Sequence, residues 1–281
     1  MEIESKVIFY IWRKCVVNTK DKILLFIPGY NCEKQIVRVL EQLDEGILSF
    51  LTEIIVINNR STDRTEEAVI EYMEEYPQVP LTLLRNQDNY GLGGSHKTAF
   101  QYAIDHEYDY VIVLHGDDQG DIHDMDRVLK KKLYKKYDCC LGGRFMRGSR
   151  LKGYSLFRTF GNIIYNFLFS VVVRNRIFDL GSGLNMYSVS MLKDHFYEKF
   201  PDKLTFNYCM ILASHYYKHR IMFFPITWRE EDQVSNVKMA SQAVSVLKML
   251  VSYRRNHEFI KTELREIPRS AYLADVIQKN K

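Results

Sequence analysis

The 281-residue chain is 46% hydrophobic and 13% aromatic, with a formal net charge of +4. That composition fills a buried core and excludes a disordered chain, and so small a charge gives no ground for a nucleic-acid partner. Five cysteines without a C-x-x-C pair exclude a disulfide framework and a cysteine-ligated zinc site, and they point to a reducing, cytosolic compartment.

The first apolar run, Val7 to Trp12, is too short for the core of an export signal. From Lys22 onward, short β-rich apolar runs alternate with longer amphipathic stretches, the pattern of a mostly parallel, doubly wound α/β sheet with flanking helices. The strands are predicted at Ile23–Ile27, Glu53–Asn58, Leu81–Arg85, Tyr110–His115 and Asp138–Gly142, with Cys139 and Cys140 inside the last. Apolar residues at three- and four-residue spacing predict helices over Gln35–Leu43, Thr65–Tyr76, Ser95–His106 and Met125–Tyr134. After Gly143 the alternation stops. An aromatic- and arginine-rich segment, a glycine-rich turn and a mixed region lead to a C-terminal tail, 241–281, predicted helical. Residues 1–21 read as an N-terminal extension and 22–240 as one catalytic domain, since no Pro/Gly-rich linker divides them.

In a doubly wound sheet, ligands sit beyond the carboxyl ends of the strands. The first strand stops at Pro28-Gly29-Tyr30-Asn31, an ordinary turn when taken alone. The second ends Asn58-Asn59-Arg60-Ser61-Thr62-Asp63; Asp63 with Glu66 suits a helix cap, and the two asparagines and the arginine suit hydrogen bonding to a base or ribose. The third leads to Gly91, Gly93 and Gly94 ahead of Ser95, where bare backbone at a helix start suits an anionic ligand. The fourth carries the strongest signal, His115-Gly116-Asp117-Asp118-Gln119-Gly120-Asp121. Carboxylates crowded at the end of a buried strand repel one another, and a divalent cation relieves that repulsion. Such a cation would bridge to a donor diphosphate and offset the charge that gathers on a departing nucleotide.

Together these four segments resemble the inverting GT-A glycosyltransferase family that includes dolichol-phosphate mannose synthase and bacterial polyprenyl-phosphate glycosyltransferases, over roughly residues 22–240. The family's Pro-x-Tyr-Asn turn is seen at Pro28, Tyr30 and Asn31. Its Asp-Asp-Gly-Ser-Thr-Asp segment is matched with three departures at Asn58, Asn59 and Arg60, and its nucleotide-proximal loop at Gly91, Gly93 and Gly94. The metal motif, ordinarily Asp-x-Asp with a following glutamine, stands here as His115-Gly116-Asp117 and Gln119. The resemblance implies a nucleotide-diphospho-sugar donor and a divalent metal, with Asp117 as chief ligand, His115 and Gln119 assisting, and Mn²⁺ favoured over Mg²⁺ by the imidazole. Asp118 is the competing ligand if the register is displaced by one. The resemblance further implies Arg144 as a phosphate clamp, Asp179 and Ser182 as contacts of the sugar, and Arg229, Ser235 and Lys238 on a loop closing over the diphosphate.

A polyprenyl-phosphate acceptor is already anionic and attacks without a base. A sugar hydroxyl would need one, and Glu230, Glu231 and Asp232 are the candidates. The stripe Leu156, Phe157, Phe160, Ile163, Ile164, Phe167 and Leu168, flanked by Lys152, Arg158, Arg174 and Arg176, suits either core or an interfacial helix. The apolar stretch Ile163–Val173 falls short of a membrane span, and the family's spanning C-terminal extension is not seen, so contact with a membrane is expected to be peripheral, at its cytoplasmic face. Lys130, Lys131, Lys132, Lys135 and Lys136 suit a solvated face or an anionic lipid surface. A dinucleotide-dependent oxidoreductase would carry its glycine fingerprint after the first strand, where Gly29 stands alone. A non-catalytic nucleotide-sugar binder is the remaining alternative, favoured by the departures at Asn58 and His115.

Overall fold

A computed structural model describes residues 20–230 and 239–280. In the first half, β1 (Ile23–Gly29), β2 (Glu53–Asn58), β3 (Leu81–Asn86) and β4 (Tyr110–Leu114) are joined by α1 (Glu33–Glu41), α2 (Glu45–Leu48), α3 (Thr65–Glu75) and α4 (Gly91–Asp105). These strands alternate side chains between two cores. Leu24 and Phe26 of β1 enter one, and Ile23, Leu25 and Ile27 enter the other, as the two-residue period of an extended chain requires. Strands buried on both faces are continuously apolar for that reason.

The second half contributes α5 (Asp126–Lys130), β5 (Cys139–Gly143), β6 (Arg150–Lys152), α6 (Leu156–Val173), β7 (Leu184–Ser188), α7 (Val189–Leu192), α8 (Phe206–Tyr216), β8 (Ile221–Pro225), β9 (Thr227–Arg229), α9 (Met239–Arg255) and β10 (Ala274–Lys279). Eight strands form one sheet in the order β10-β3-β2-β1-β4-β7-β5-β8, while β6 and β9 pair as a small separate ribbon. β7 runs antiparallel between β4 and β5, and β10 runs antiparallel on β3. The sheet therefore turns back on itself at β1 and β4, and the crevice for a ligand lies beyond the carboxyl ends of these two strands. Gly116 N donates to Pro28 O at 3.2 Å and ties the two ends together.

Three expectations are corrected. The helix over Met125–Tyr134 is broken into 3₁₀ turns at Ile122–Met125 and Leu133–Lys136 around the short α5, with Lys132 in the left-handed region at φ 48°. The tail is α-helical only through α9; after 3₁₀ turns at His257–Lys261 and Arg269–Ala271 the chain returns as β10 to cover the edge of β3, where Lys279 Nζ donates to Glu53 at 2.7 Å. The apolar stretch is longer than Ile163–Val173, because Leu156, Phe157 and Phe160 extend it into the 18-residue α6, long and apolar enough by composition to cross a membrane.

Candidate active site

The rim above β1 and β2 is built by side chains that cap backbone. Asn31, at φ 50°, donates its N–H to Ser61 Oγ at 3.0 Å and accepts from Thr62 N on Oδ1 at 2.8 Å. Asn58 Oδ1 accepts from Ser61 N at 2.9 Å, and its Nδ2 donates to Glu66 at 2.7 Å. Asp63 accepts from Thr65 N at 3.1 Å, but the N-cap position is Arg64 and Glu66 is held by Arg85 at 3.1 Å, so the expected Asp63–Glu66 cap does not form. A cleft of about 420 Å³ opens here, lined by Asn58, Arg60, Ser61, Thr62, Asp63 and Glu66 among others. Tyr30 stands half exposed nearby in sequence, after Pro28. Asn59 is turned inward: it is buried, accepts from Asn86 Nδ2 and Tyr90 N, and donates to Asn89.

The glycine loop is not open to an anion. A Cβ on Gly91 would lie 2.5 Å from Asp202 O, and one on Gly93 would lie 2.4 Å from Pro201 O. Gly93 N donates to Asp202 O at 2.8 Å, so a loop of the same chain caps this helix start. The glycines are needed for close approach, but what approaches is the Pro201–Asp202 backbone.

Beyond β4 the acidic motif divides. Gly116 fits because a Cβ would come within 2.8 Å of Pro28 O. Asp117 is half-buried; its Oδ1 accepts from Gln119 N at 3.2 Å. Burial pushes its carboxyl up to about 6, against the N–H donors of Gln119 and Asp117 itself and with Asp118 adding to the rise; Arg144 pulls it down. Asp118, at φ 56°, faces elsewhere. It is buried and paired with Arg38 at 2.7 Å and Arg229 at 3.1 Å, and it accepts from Gln42 at 3.0 Å. Gln42 also bonds Gly120 O and Ile122 N, fastening the loop that carries the motif to the end of α1. Asp118 is thus a strut that ties the motif to Arg38, Gln42 and Arg229.

Across the crevice, at the end of β5, Arg144 is buried and bound three ways to Asp179: backbone N at 2.9 Å, Nε at 2.7 Å and Nη2 at 2.8 Å. Its guanidinium lies 4.8 Å from the Trp228 ring centre, with Phe145 and Tyr154 also against it. Burial opposes the charge, yet Asp179 holds it well above the ordinary arginine value, so Arg144 is a fixed cation. Asp179 is therefore occupied in orienting Arg144. Ser182 is buried and bonds Leu184 O and Asn185, which shapes the turn before β7. Arg229 N donates to Gln119 O at 2.9 Å in addition to the ion pair with Asp118, and this joins β9 to the motif. Glu230 is paired with Arg158 at 2.5 Å. Ser235, Lys238, Glu231 and Asp232 lie outside the described residues.

Of the ligands the sequence suggested, Asp117 and His115 stand two residues apart just beyond β4. The His115 ring rests against Gly183, where a Cβ would come within 2.9 Å of it, and its Nε2 is buried without a hydrogen-bond partner. Burial first, and Arg144 next, lower it to about 4, so the imidazole is neutral with a lone pair to give. Among the described residues no three His, Cys, Asp or Glu side chains converge. This set fits an ion that completes its shell with diphosphate oxygens and water, and does not fit one caged by protein.

Sequence reasoning missed Arg38 and Gln42, whose spacing on α1 looks like any solvated helix face, and Trp228 and Tyr154, which gave no signal beyond aromatic content. It also missed the buried Lys97–Asp202 pair at 2.6 Å behind the glycine loop.

The sequence profile described as glycosyl transferase family 2 matches residues 25–196. An uncharacterized protein of Methanocaldococcus jannaschii is 29% identical over 175 residues, 62% of this chain and 68% of that protein. A dolichyl-phosphate beta-glucosyltransferase of Trichomonas vaginalis is 25% identical over 245 residues, 82% of this chain and 73% of the relative. A UDP-N-acetylglucosamine–dolichyl-phosphate N-acetylglucosaminyltransferase of Methanococcus voltae is 26% identical over 184 residues, 62% of this chain and 72% of that enzyme. Among solved structures, the glucosyl-3-phosphoglycerate synthase of Mycobacterium tuberculosis with bound UDP superposes with a TM-score of 0.57 at 15% identity, over 84% of this chain and 80% of that one. The same synthase has been crystallised with Mn²⁺ and UDP. The likeness establishes a GT-A fold.

Proposed function

This chain belongs to glycosyl transferase family 2, and on that premise we propose that it transfers a sugar, with inversion, from a nucleoside-diphosphate sugar to a polyprenyl-phosphate carrier. The dolichyl-phosphate acceptors in the names of two relatives support the acceptor, and their glucosyl and N-acetylglucosaminyl groups favour a UDP-linked, gluco-configured donor over mannose. The single observation that carries the reading is the placement of Asp117 beyond β4, with the fixed cation Arg144 within electrostatic reach.

In this arrangement the rim of Asn58, Arg60 and Ser61 receives the base and ribose, and the diphosphate lies between Asp117 and Arg144. Asp117, with His115 beside it in sequence, would hold a divalent ion, which when bound supplies Lewis acidity to the departing diphosphate. Arg144 uses Nε and Nη2 on Asp179, and no hydrogen bond of its Nη1 occurs among the described residues, so that nitrogen can donate to a phosphate oxygen. An acceptor phosphate oxygen attacks the anomeric carbon as the bond to the donor's diphosphate breaks, and the nucleoside diphosphate leaves with the electron pair. No proton has to be removed from such an acceptor. That suits a site whose Glu230 is committed to Arg158. A carrier embedded in a bilayer would bring the enzyme to the membrane surface, and the buried free cysteines favour the cytoplasmic face.

Incubation with UDP-glucose, UDP-N-acetylglucosamine or GDP-mannose and a polyprenyl phosphate, followed by mass spectrometry of the lipid, tests the proposal. A glycosyl phosphodiester from a UDP-sugar, suppressed by chelator, is expected. Product on a glycan hydroxyl would replace the acceptor, and donor binding without any turnover would make the protein a binder.

A further inference from the structure

Helix α6 turns a polar stripe inward and an apolar one outward. Arg158, Asn162, Asn166 and Ser170 recur every four residues and face the protein. Arg158 pairs with Glu230, Asn162 Nδ2 donates to Tyr154 Oη at 2.9 Å, Asn166 Nδ2 donates to Phe178 O at 2.7 Å, and Ser170 Oγ accepts from Ile177 N at 2.9 Å. The opposite side holds Leu156, Phe157, Phe160, Ile163, Ile164 and Phe167, each between 42% and 86% exposed. Beside it, α9 adds Val244, Leu247 and Val251, exposed at three- and four-residue spacing. A soluble helix turns its apolar stripe to the core and its polar stripe outward. Here the inward side mixes the polar stripe with Phe169, Leu168 and Val172 on the core, the outward side is apolar, and the resulting apolar surface exceeds the scattered exposure normal for a monomer.

The charge around this surface selects its occupant. From Cys139 to Phe178 the sequence has no Asp or Glu, but it carries Arg144, Arg147, Arg150, Lys152, Arg158, Arg174 and Arg176. Apart from Arg144 and Arg158 these cations are exposed and make no ion pair among the described residues. A second copy docking through the same face would set like charges together, whereas anionic headgroups would meet them with opposite charge. Spanning is ruled out by connectivity. β6, just before α6, pairs with β9, and β7, just after it, lies in the central sheet, so a crossing would tear one domain across the two sides of a bilayer.

We infer that α6, with the exposed stripe of α9, lies flat in the interface of an anionic bilayer. Its apolar side enters the acyl boundary, and Arg147, Arg150, Lys152, Arg174 and Arg176 meet the headgroups. This deepens the proposed function, since Tyr154 and Glu230 connect the start of α6 to Arg144 and to the β9 strand beside Asp117. The docked face therefore presents the crevice to a phosphate carried at the membrane surface. The lysine cluster takes no part: Lys130 pairs with Asp126, and Lys135 pairs with Asp21 ahead of β1, at the far ends of the strands.

Co-sedimentation of the full chain with phosphatidylcholine vesicles, with and without phosphatidylglycerol, tests the inference without donor or acceptor. Binding is expected to be at least tenfold tighter on the anionic vesicles and to weaken with salt. The combined Phe157→Glu, Phe160→Glu and Phe167→Glu variant should lose it at unchanged melting temperature. Arg174→Gln with Arg176→Gln should reduce the preference for anionic lipid. Failure of the wild type to bind, equal binding by the triple variant, or a dimer that the triple variant converts to monomer would overturn the inference. Transfer to a detergent-solubilised polyprenyl phosphate separates this failure from that of the proposed reaction, because it needs no vesicle.

Discussion

Helices α4 and α6 occupy each other's expected surroundings. α4 carries Ser95, His96, Lys97 and Thr98 in its second turn, and all four are buried. α6 is the most apolar long helix, yet only Asn166 and Phe169 of it are buried. The difference lies in what each must meet. Lys97 can be buried because Nζ donates to Phe200 O and Asp202 at 2.6 Å, and Tyr272 Oη completes the group. His96 Nδ1 donates to Leu92 O at 2.8 Å, and burial, with His115 next, lowers its pKa to about 3, so the ring is neutral. Polar groups survive inside when each finds a partner, and apolar groups outside imply a partner beyond the chain.

The contrast is broken most severely at Lys97. Lys97→Ala leaves the Asp202 carboxylate buried without its cation, and a loss of about 3 kcal/mol is expected. For a chain of this size that lowers Tm by roughly 6–12 °C in calorimetry. Gly93→Ala drives a Cβ against Pro201 O and Asp202, and about 1–3 kcal/mol should be lost by denaturant titration. A smaller effect is expected at Glu53. Burial would raise its pKa, but Lys279, Thr82 and Tyr108 hold it below the usual 4.5. The folded value being lower than the unfolded one, this contribution is complete above pH 4.5 and disappears as the pH falls through the folded value. Glu53→Gln should therefore cost stability at neutral pH, and the difference from wild type should shrink in acid. The smallest change is expected at Phe160→Ser on α6, within about 0.5 kcal/mol of wild type, because that side chain is 65% exposed. A large loss there would show that α6 is core after all.

The apolar runs of β1 to β5 were legible because strands buried on both faces need continuous hydrophobic sequence. The antiparallel insertion of β7 and the return of β10 were not, since periodicity reports burial and says nothing about which strand lies alongside. At the site, position on the sheet made Asp117 visible. The pairing of Arg144 with Asp179, 35 residues apart, and of Asp118 with Arg38 and Arg229, depends on tertiary approach that spacing does not encode. The glycine loop was recognised for its need of close approach, while its neighbour proved to be the chain itself. The stripe on α6 was ambiguous because a core helix and an interfacial helix share one composition; only the side on which Asn162, Asn166 and Ser170 make their bonds separates them.

The account turns on Asp117 serving the donor diphosphate. Nucleotide release from a UDP-sugar, with polyprenyl phosphate present, compared between wild type and Asp117→Asn under Mn²⁺, tests it most directly. A loss of at least about a hundredfold in kcat at unchanged Tm is predicted, in line with removal of a group that stabilises developing charge. Turnover near the wild-type rate in Asp117→Asn would contradict it.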